Sequence, residues 1–247
     1  MGRSGALLLL LIGPLAACVD IPTGSDEVLS LQIGPLPSPS VVVRDTLRDT
    51  LGVIQPIPFR AFNYSGNEIP GATARFNSLD RAIRVDSITG IVIADSVRAT
   101  TRILARVQGI TASFSIPVTL RPDTVTGSNA RDSLAYSLID TANVSNGIGI
   151  RVLHGLTTSD SSVASYLVSF RIVSPTDTLL ARLVNERGTR SSLDTTDAGG
   201  IATRRIRLDV SRLTSLVDSV VVQATVKYRG VNVRGSPARL VLKVKPK

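Results

Sequence analysis

"RILARVQGITASFSIPVTL", residues 102 to 120, decides the fold. Ile103, Ala105 and Val107 alternate with other residues, and after Gln108-Gly109 the alternation resumes at Ile110, Ala112, Phe114, Ile116 and Val118. Successive side chains of a strand point to opposite faces, so a period of two over this length describes two antiparallel, half-buried strands. Gln108-Gly109 is the tight turn between them. Outward from this pair the pattern continues: Ser, Thr and Val abound and helical periodicity is hard to find after residue 20. Pro56, Pro58, Pro70 and Pro117 fall near the ends of runs, where edge strands and loops tolerate a missing N–H. The expected fold class is all-β.

The same parts then recur in order. Asp86-Ser-Ile-Thr-Gly90-Ile91 is a turn feeding a strand, followed by Ala105-Arg-Val107, a Gly turn, an alternating run and Pro122. In the second half the turn is Asp194-Thr-Thr-Asp-Ala-Gly-Gly200-Ile201. It is followed by Ala224-Thr-Val226, the Arg229-Gly230 turn, "RLVLKV" (239–244) and Pro246. Two related β modules are therefore expected, residues 29–122 and 131–247, each close to the roughly 100 residues of an immunoglobulin-like sandwich. "DTVTGSNA" (123–130) reads as the linker, with Gly127-Ser-Asn as a hinge.

Before the first module stands a different kind of sequence. Arg3 and the apolar run Ala6 to Ile12, closed by Gly13-Pro14, have the layout of a secretory signal, and the run is far short of the roughly 20 residues that span a bilayer. Leu15-Ala16-Ala17-Cys18 follows, with the only cysteine of the 247 residues. This tetrapeptide resembles the lipobox of bacterial lipoproteins. The resemblance implies removal of residues 1–17 and acylation of Cys18, and Val19 resembles the pattern of lipoproteins sent on to the outer membrane. Several acyl chains at about 0.8 kcal/mol per buried methylene make a stable anchor. Residues 18–28 are then the lipidated cysteine and a flexible tether carrying Pro, Gly, Ser and acids.

"FRAFNYSGNEIPGATARFNSLDRAIRVDSITGIVIADS" (59–96), followed by "RILARVQGITASFSIPV", resembles a group 2 bacterial immunoglobulin-like domain. "VSFRIVSP", "TTDAGGIATRRIRL" and "VVVQATVKYRG" in the second module are similar to the invasin and intimin type of the same fold. Phe76 stands where such domains often place a tryptophan, and the chain has no Trp. These resemblances imply two tandem sandwiches and a scaffold role, and a fold of this kind does not fix a function.

Chemistry-bearing residues are few. His154 is the only histidine, and a Ser-His-Asp set with Asp160 would need a nucleophile elbow that the sequence lacks; the residue reads as a strand-end polar group beside a Gly turn. Asp194 and Asp197 in the "DTTDAGG" turn could give part of a calcium shell, but the EF-hand spacing is absent and a turn with Asp capping amides fits the residues. "SNGIGIRV" (145–152) lacks the third glycine of a dinucleotide fingerprint. No cofactor is expected.

Charge is the remaining signal. The chain carries a formal net charge of +9, and the second module holds 17 basic and 9 acidic residues against 10 and 6 in the first. In "ATRRIRLDV" Arg205, Arg207 and Asp209 alternate with Ile206, Leu208 and Val210, which describes a solvated strand face. Aromatic residues make up only 4%, too few for the stacking that single-stranded nucleic acid requires, so nucleic acid is not an expected partner. The expectation is an exported, lipid-anchored, non-enzymatic envelope protein that meets a nearby glycan or protein, or else a structural spacer with no ligand. Cys18→Ser is expected to abolish metabolic labelling with a radiolabelled fatty acid; label that persists in the variant would contradict the lipobox reading.

Overall fold

The computed structural model describes residues 27–139, 143–156, 161–177, 179–212 and 218–247; Cys18 and its flanks lie outside them. The first module contains β1 (Ser30–Ile33), β2 (Val41–Val42), β3 (Phe59–Phe62), β4 (Arg75–Ser78), β5 (Ile83–Val85), β6 (Val92–Ala94), β7 (Arg98–Val107) and β8 (Ile110–Thr119). The second contains β9 (Thr124–Asn129), β10 (Arg131–Tyr136), β11 (Asn143–Val144), β12 (Ile148–His154), β13 (Ser161–Ser162), β14 (Leu167–Ser174), β15 (Ala181–Val184), β16 (Leu193–Thr195) and β17 (Ile201–Leu208). It continues with β18 (Ser219–Thr225), β19 (Lys227–Tyr228), β20 (Val231–Asn232) and β21 (Ala238–Pro246). The only helical element among the described residues is one 3-10 turn, Val210–Arg212. The chain is all-β, two tandem immunoglobulin-like sandwiches.

The hairpin expected over residues 102–120 forms β7 and β8. Val107 pairs with Ile110 across the turn, Gln108 takes φ 51°, and Ile103, Ala105, Val107, Ile116 and Val118 are buried. These strands are the middle of the sheet β2-β8-β7-β4, faced by the pairs β1-β3 and β5-β6. Phe76 fills the core edge to face with Phe59, ring centroids 5.9 Å apart, with Gly90 beneath it. Pro117 departs from expectation, because it lies inside β8 with neighbours on both sides. The ladder accommodates it with a register shift between Arg98 and Thr101, opposite the residue that has no N–H to donate.

In the second module β10-β21-β18-β14-β16 packs against a sheet built on β12 and β17, to which β9, β11, β13 and β15 add. Its core holds Ile148, Ile150, Val152, Phe170, Ile206, Leu240 and Leu242. The first module's core is separate, running from Val28 to Val118. Two boundaries move. Val28, placed in the tether by sequence, is buried, with its N–H donating to the Gln108 side chain at 2.9 Å. The 123–130 linker is largely β9, paired along its length with β12. Asp123 at its start receives hydrogen bonds from Arg121 (2.7 Å) and the Gly155 N–H (3.0 Å), so the hinge expected there is a pinned strand.

One local code recurs in both modules. At Asp49, Asn63, Asn185 and Asp197 the residue's N–H donates to the carbonyl four residues on, and its side-chain oxygen accepts that residue's N–H. The glycine three residues on donates back to the carbonyl of the Asp or Asn. These glycines, Gly52, Gly66, Gly188 and Gly200, have φ between 74° and 86°. The spacing is Asx-x-x-Gly-x, and each part has a cause: the short carboxylate or amide satisfies an orphan amide, and glycine enters the left-handed region without cost.

Two of these glycines separate strain from packing. A Cβ at Gly188 meets nothing within 4 Å, whereas one at Gly200 would lie 2.5 Å from the Val152 carbonyl oxygen. Gly188→Ala is expected to lose about 1–2 kcal/mol from the left-handed backbone alone, and Gly200→Ala clearly more. Urea denaturation of the two variants reads the difference, and equal losses would contradict the packing argument.

Candidate functional site

The two sandwiches meet turn against turn. β19 and β20 are joined by Arg229-Gly230, with φ 51° and 80°, the doubly positive conformation whose twist suits a two-residue hairpin. Against it sits the Asp49–Val53 turn of the first module. A Cβ on Gly52 would fall 2.3 Å from the Arg229 carbonyl carbon, and one on Gly230 would fall 2.4 Å from the Leu51 carbonyl oxygen. Each turn therefore uses its glycine twice, for its own φ and to admit the other backbone. A shorter tie lies beside it, where the Thr119 hydroxyl donates to the Ala164 carbonyl at 2.5 Å.

Asp45 is the charge at this junction. Its side chain is 3% exposed. One carboxylate oxygen accepts from the Thr46 N–H (2.8 Å) and Arg48 Nε (3.1 Å), and the other accepts from Arg229 Nε of the second module at 2.9 Å. Arg229 also lies over the Tyr228 ring, 5.3 Å from its centroid. Burial alone would raise the carboxyl, but hydrogen bonds from Arg229, the Thr46 amide, Tyr228 and Arg48 outweigh it and hold the group at about 2. Burial pushes the Tyr166 phenol up, and Tyr228 is raised by burial and by its hydrogen bond to Asp45. Tyr166 donates to the Lys227 carbonyl at 2.6 Å.

Around this clamp is a cleft of about 380 Å³, lined by Ser38, Ser40, Asp45, Tyr166, Tyr228 and Arg229 among others. The Ser40 hydroxyl is buried and has no hydrogen-bond partner among the described residues. A carboxylate held at about 2 is a poor proton acceptor, and phenols raised by burial are poor nucleophiles near neutrality. The contacts here position the two turns against each other.

The residues singled out from sequence are scattered. Cys18 and Asp160 lie outside the described residues. His154 Nδ1 is 2.7 Å from Asp123 and 3.0 Å from the Arg121 carbonyl, both acceptors, so this nitrogen carries the proton. The histidine braces the start of β9 and has no serine hydroxyl on it among the described residues. Asp194 gives one oxygen to Arg204 at 2.8 Å and the other to the Thr203 N–H, while Asp197 caps the Ile201 amide. Arg205 and Arg207 are on the half-exposed row of β17. Arg204 is on the buried row, 5.9 Å above the Phe170 ring, with its Nε unpartnered among the described residues. Asp45 and Arg229 were missed as a pair because 184 residues separate them. The local signal was an acid inside the apolar run "VVVRDTL".

No family model matches this chain, and no curated protein matches it. Among solved structures it is similar to domains 4 and 5 of the S-layer protein SbsC, at 13% identity and a TM-score of 0.34, over 89% of this chain and 99% of that one. It is also similar to the adhesin InvE of Yersinia pseudotuberculosis, at 16% identity and a TM-score of 0.31, over 87% of this chain and 58% of that one. Human protocadherin-24 EC1-2 aligns at 13% identity and a TM-score of 0.26, over 90% of this chain and all of the other. Among the described residues no helix is long and apolar enough to cross a membrane.

The clamp has a pH signature with a defined sign. The carboxyl is lowered in the fold from 3.8 to about 2, so its contribution is complete above 3.8 and is lost as pH falls through about 2. Asp45→Asn should remove that contribution, about 2 kcal/mol at neutral pH, and the gap between wild type and variant should close on acidification. Denaturation at a series of pH values checks this; a gap independent of pH would contradict it.

Proposed function

We propose that this chain is an exported, non-enzymatic envelope protein, lipid-anchored through Cys18, whose second module contacts a nearby anionic glycan or protein. The observation that carries the reading is the clamp. Asp45, Arg229 and the interlocked glycines set the more basic module at a defined orientation on the first, so its surface is presented and not left to swing. The same clamp also favours a second reading, a stiff spacer with no ligand of its own.

Ionic strength separates the two. Contacts between exposed charges fade as the screening length falls from about 10 Å at 0.1 M salt to about 3 Å at 1 M. The purified chain should be retained on immobilised envelope polymer at low salt and released across this range, with the polymer chemically unchanged after elution. No retention at any ionic strength would leave the spacer as the account.

A further inference from the structure

The second module is open along one flank. Residues 190–193 cross from one sheet to the other: the Ser191 N–H donates to the Leu183 carbonyl of β15, and the Ser192 carbonyl accepts from the Phe170 N–H of β14. β16 pairs Leu167 to Ser169 of β14 and Ser192 reaches Phe170, and beyond Phe170 no strand among the described residues pairs with β14 on this side. The result is a groove of about 450 Å³ floored by Phe170, Ala181 and Leu183. That volume lies within the roughly 300–1,000 Å³ of ligand clefts.

Its walls carry Arg171, Arg182 and Arg190, all exposed, with Ser191 and Ser192 between them and no carboxylate. None of the three guanidiniums has an ion-pair partner among the described residues, where eight other pairs form. A second observation points the same way. Arg182 of β15 stands directly opposite Arg207 of β17, and like charges facing across a ladder are destabilising. Arg182 also borders the neighbouring depression with Arg207, where Asp209, Leu138 and Ile139 join the lining and end the purely cationic stretch. Opposed guanidiniums with no acid between them suit an anion with repeated charges, since planar guanidinium pairs carboxylate and phosphate oxygens two at a time.

We propose that Arg171, Arg182 and Arg190 form a binding groove for an anionic polysaccharide. This rests on the reading of the second module as the contact surface and gives it a place and a ligand class. Within the groove lining Leu193 is the one well-exposed large apolar residue, beside three exposed arginines, and this excess of charge over apolar surface sets the polysaccharide ahead of a membrane surface.

The test uses the full chain carrying Cys18→Ser, so that acylation adds nothing, with polygalacturonate, neutral dextran and vesicles of phosphatidylglycerol as probes. Arg171→Gln/Arg182→Gln/Arg190→Gln should weaken polygalacturonate binding by about tenfold or more. Arg239→Gln/Lys243→Gln/Lys245→Gln, with the same loss of charge on β21, should weaken it by less than about twofold, and dextran should not bind. Equal losses in the two variants overturn the groove and leave a diffuse charged surface. Wild-type chain that ignores polygalacturonate overturns both the groove and the glycan reading. Vesicle binding as strong as polygalacturonate binding, and lost in the groove variant, assigns the groove to a membrane surface. Thermal denaturation of both variants confirms that they fold.

Discussion

A carboxylate almost closed to solvent, with an arginine from its own module on one oxygen and an arginine from the other module on the second, is the contact on which the two-module arrangement depends. The hydrogen bonds on the carboxylate outweigh its desolvation and hold it ionised, and removing one cation leaves a buried charge in want of a partner. Arg229 reaches Asp45 only because its own backbone is in the left-handed region, stacked on Tyr228, at the tip of a two-residue hairpin. That hairpin docks closely only because Gly52 and Gly230 lack side chains. Charge fixes the orientation, and the two glycines fix the distance.

Much of this was legible and some could not have been. The alternation over residues 102–120 reported β7, β8 and their turn because a half-buried antiparallel pair is a local object, written in consecutive residues. The Arg229-Gly230 turn was legible for the same reason, whereas of the turn expected at residues 194–200 only the part from Asp197 is turn, Asp194 and Thr195 being strand β16. Linker and strand were confused at 123–130, where Thr, Gly, Ser and Asn have the composition of a loop. The pairing that makes this segment β9 comes from β12, about twenty residues later, and from the carboxylate of Asp123. The Asp45–Arg229 pair joins residues 184 apart, and no local pattern encodes it. Arg204 shows a limit of another kind: period-two reading assigns it to the core row, but not the Asp194 partner and the Phe170 ring that make an arginine tolerable there.

Arginine is used in two ways in this protein. Arg48, Arg204 and Arg229 are structural, each spent on a carboxylate within the fold. Arg171, Arg182 and Arg190 are not spent on any described carboxylate, and they border a groove left by the way the chain crosses between sheets. Arg229, with Arg48 on the same carboxylate, sets how the second module sits on the first, Arg204 braces the second module's own core, and the second set adds to that module's exposed charge. An all-β scaffold without a disulfide in its described residues can carry both because its two cores are apolar and separate.

The central claim is that the clamp makes one body of two sandwiches. The most direct measurement is the distance distribution between spin labels on Thr111→Cys in the first module and Glu186→Cys in the second, with Cys18 replaced by Ser. A single narrow distribution at neutral pH, broadening when Arg229 is changed to Ser, is the predicted result. A broad distribution in the chain that retains Arg229, or one that does not change when Arg229 is lost, would contradict it.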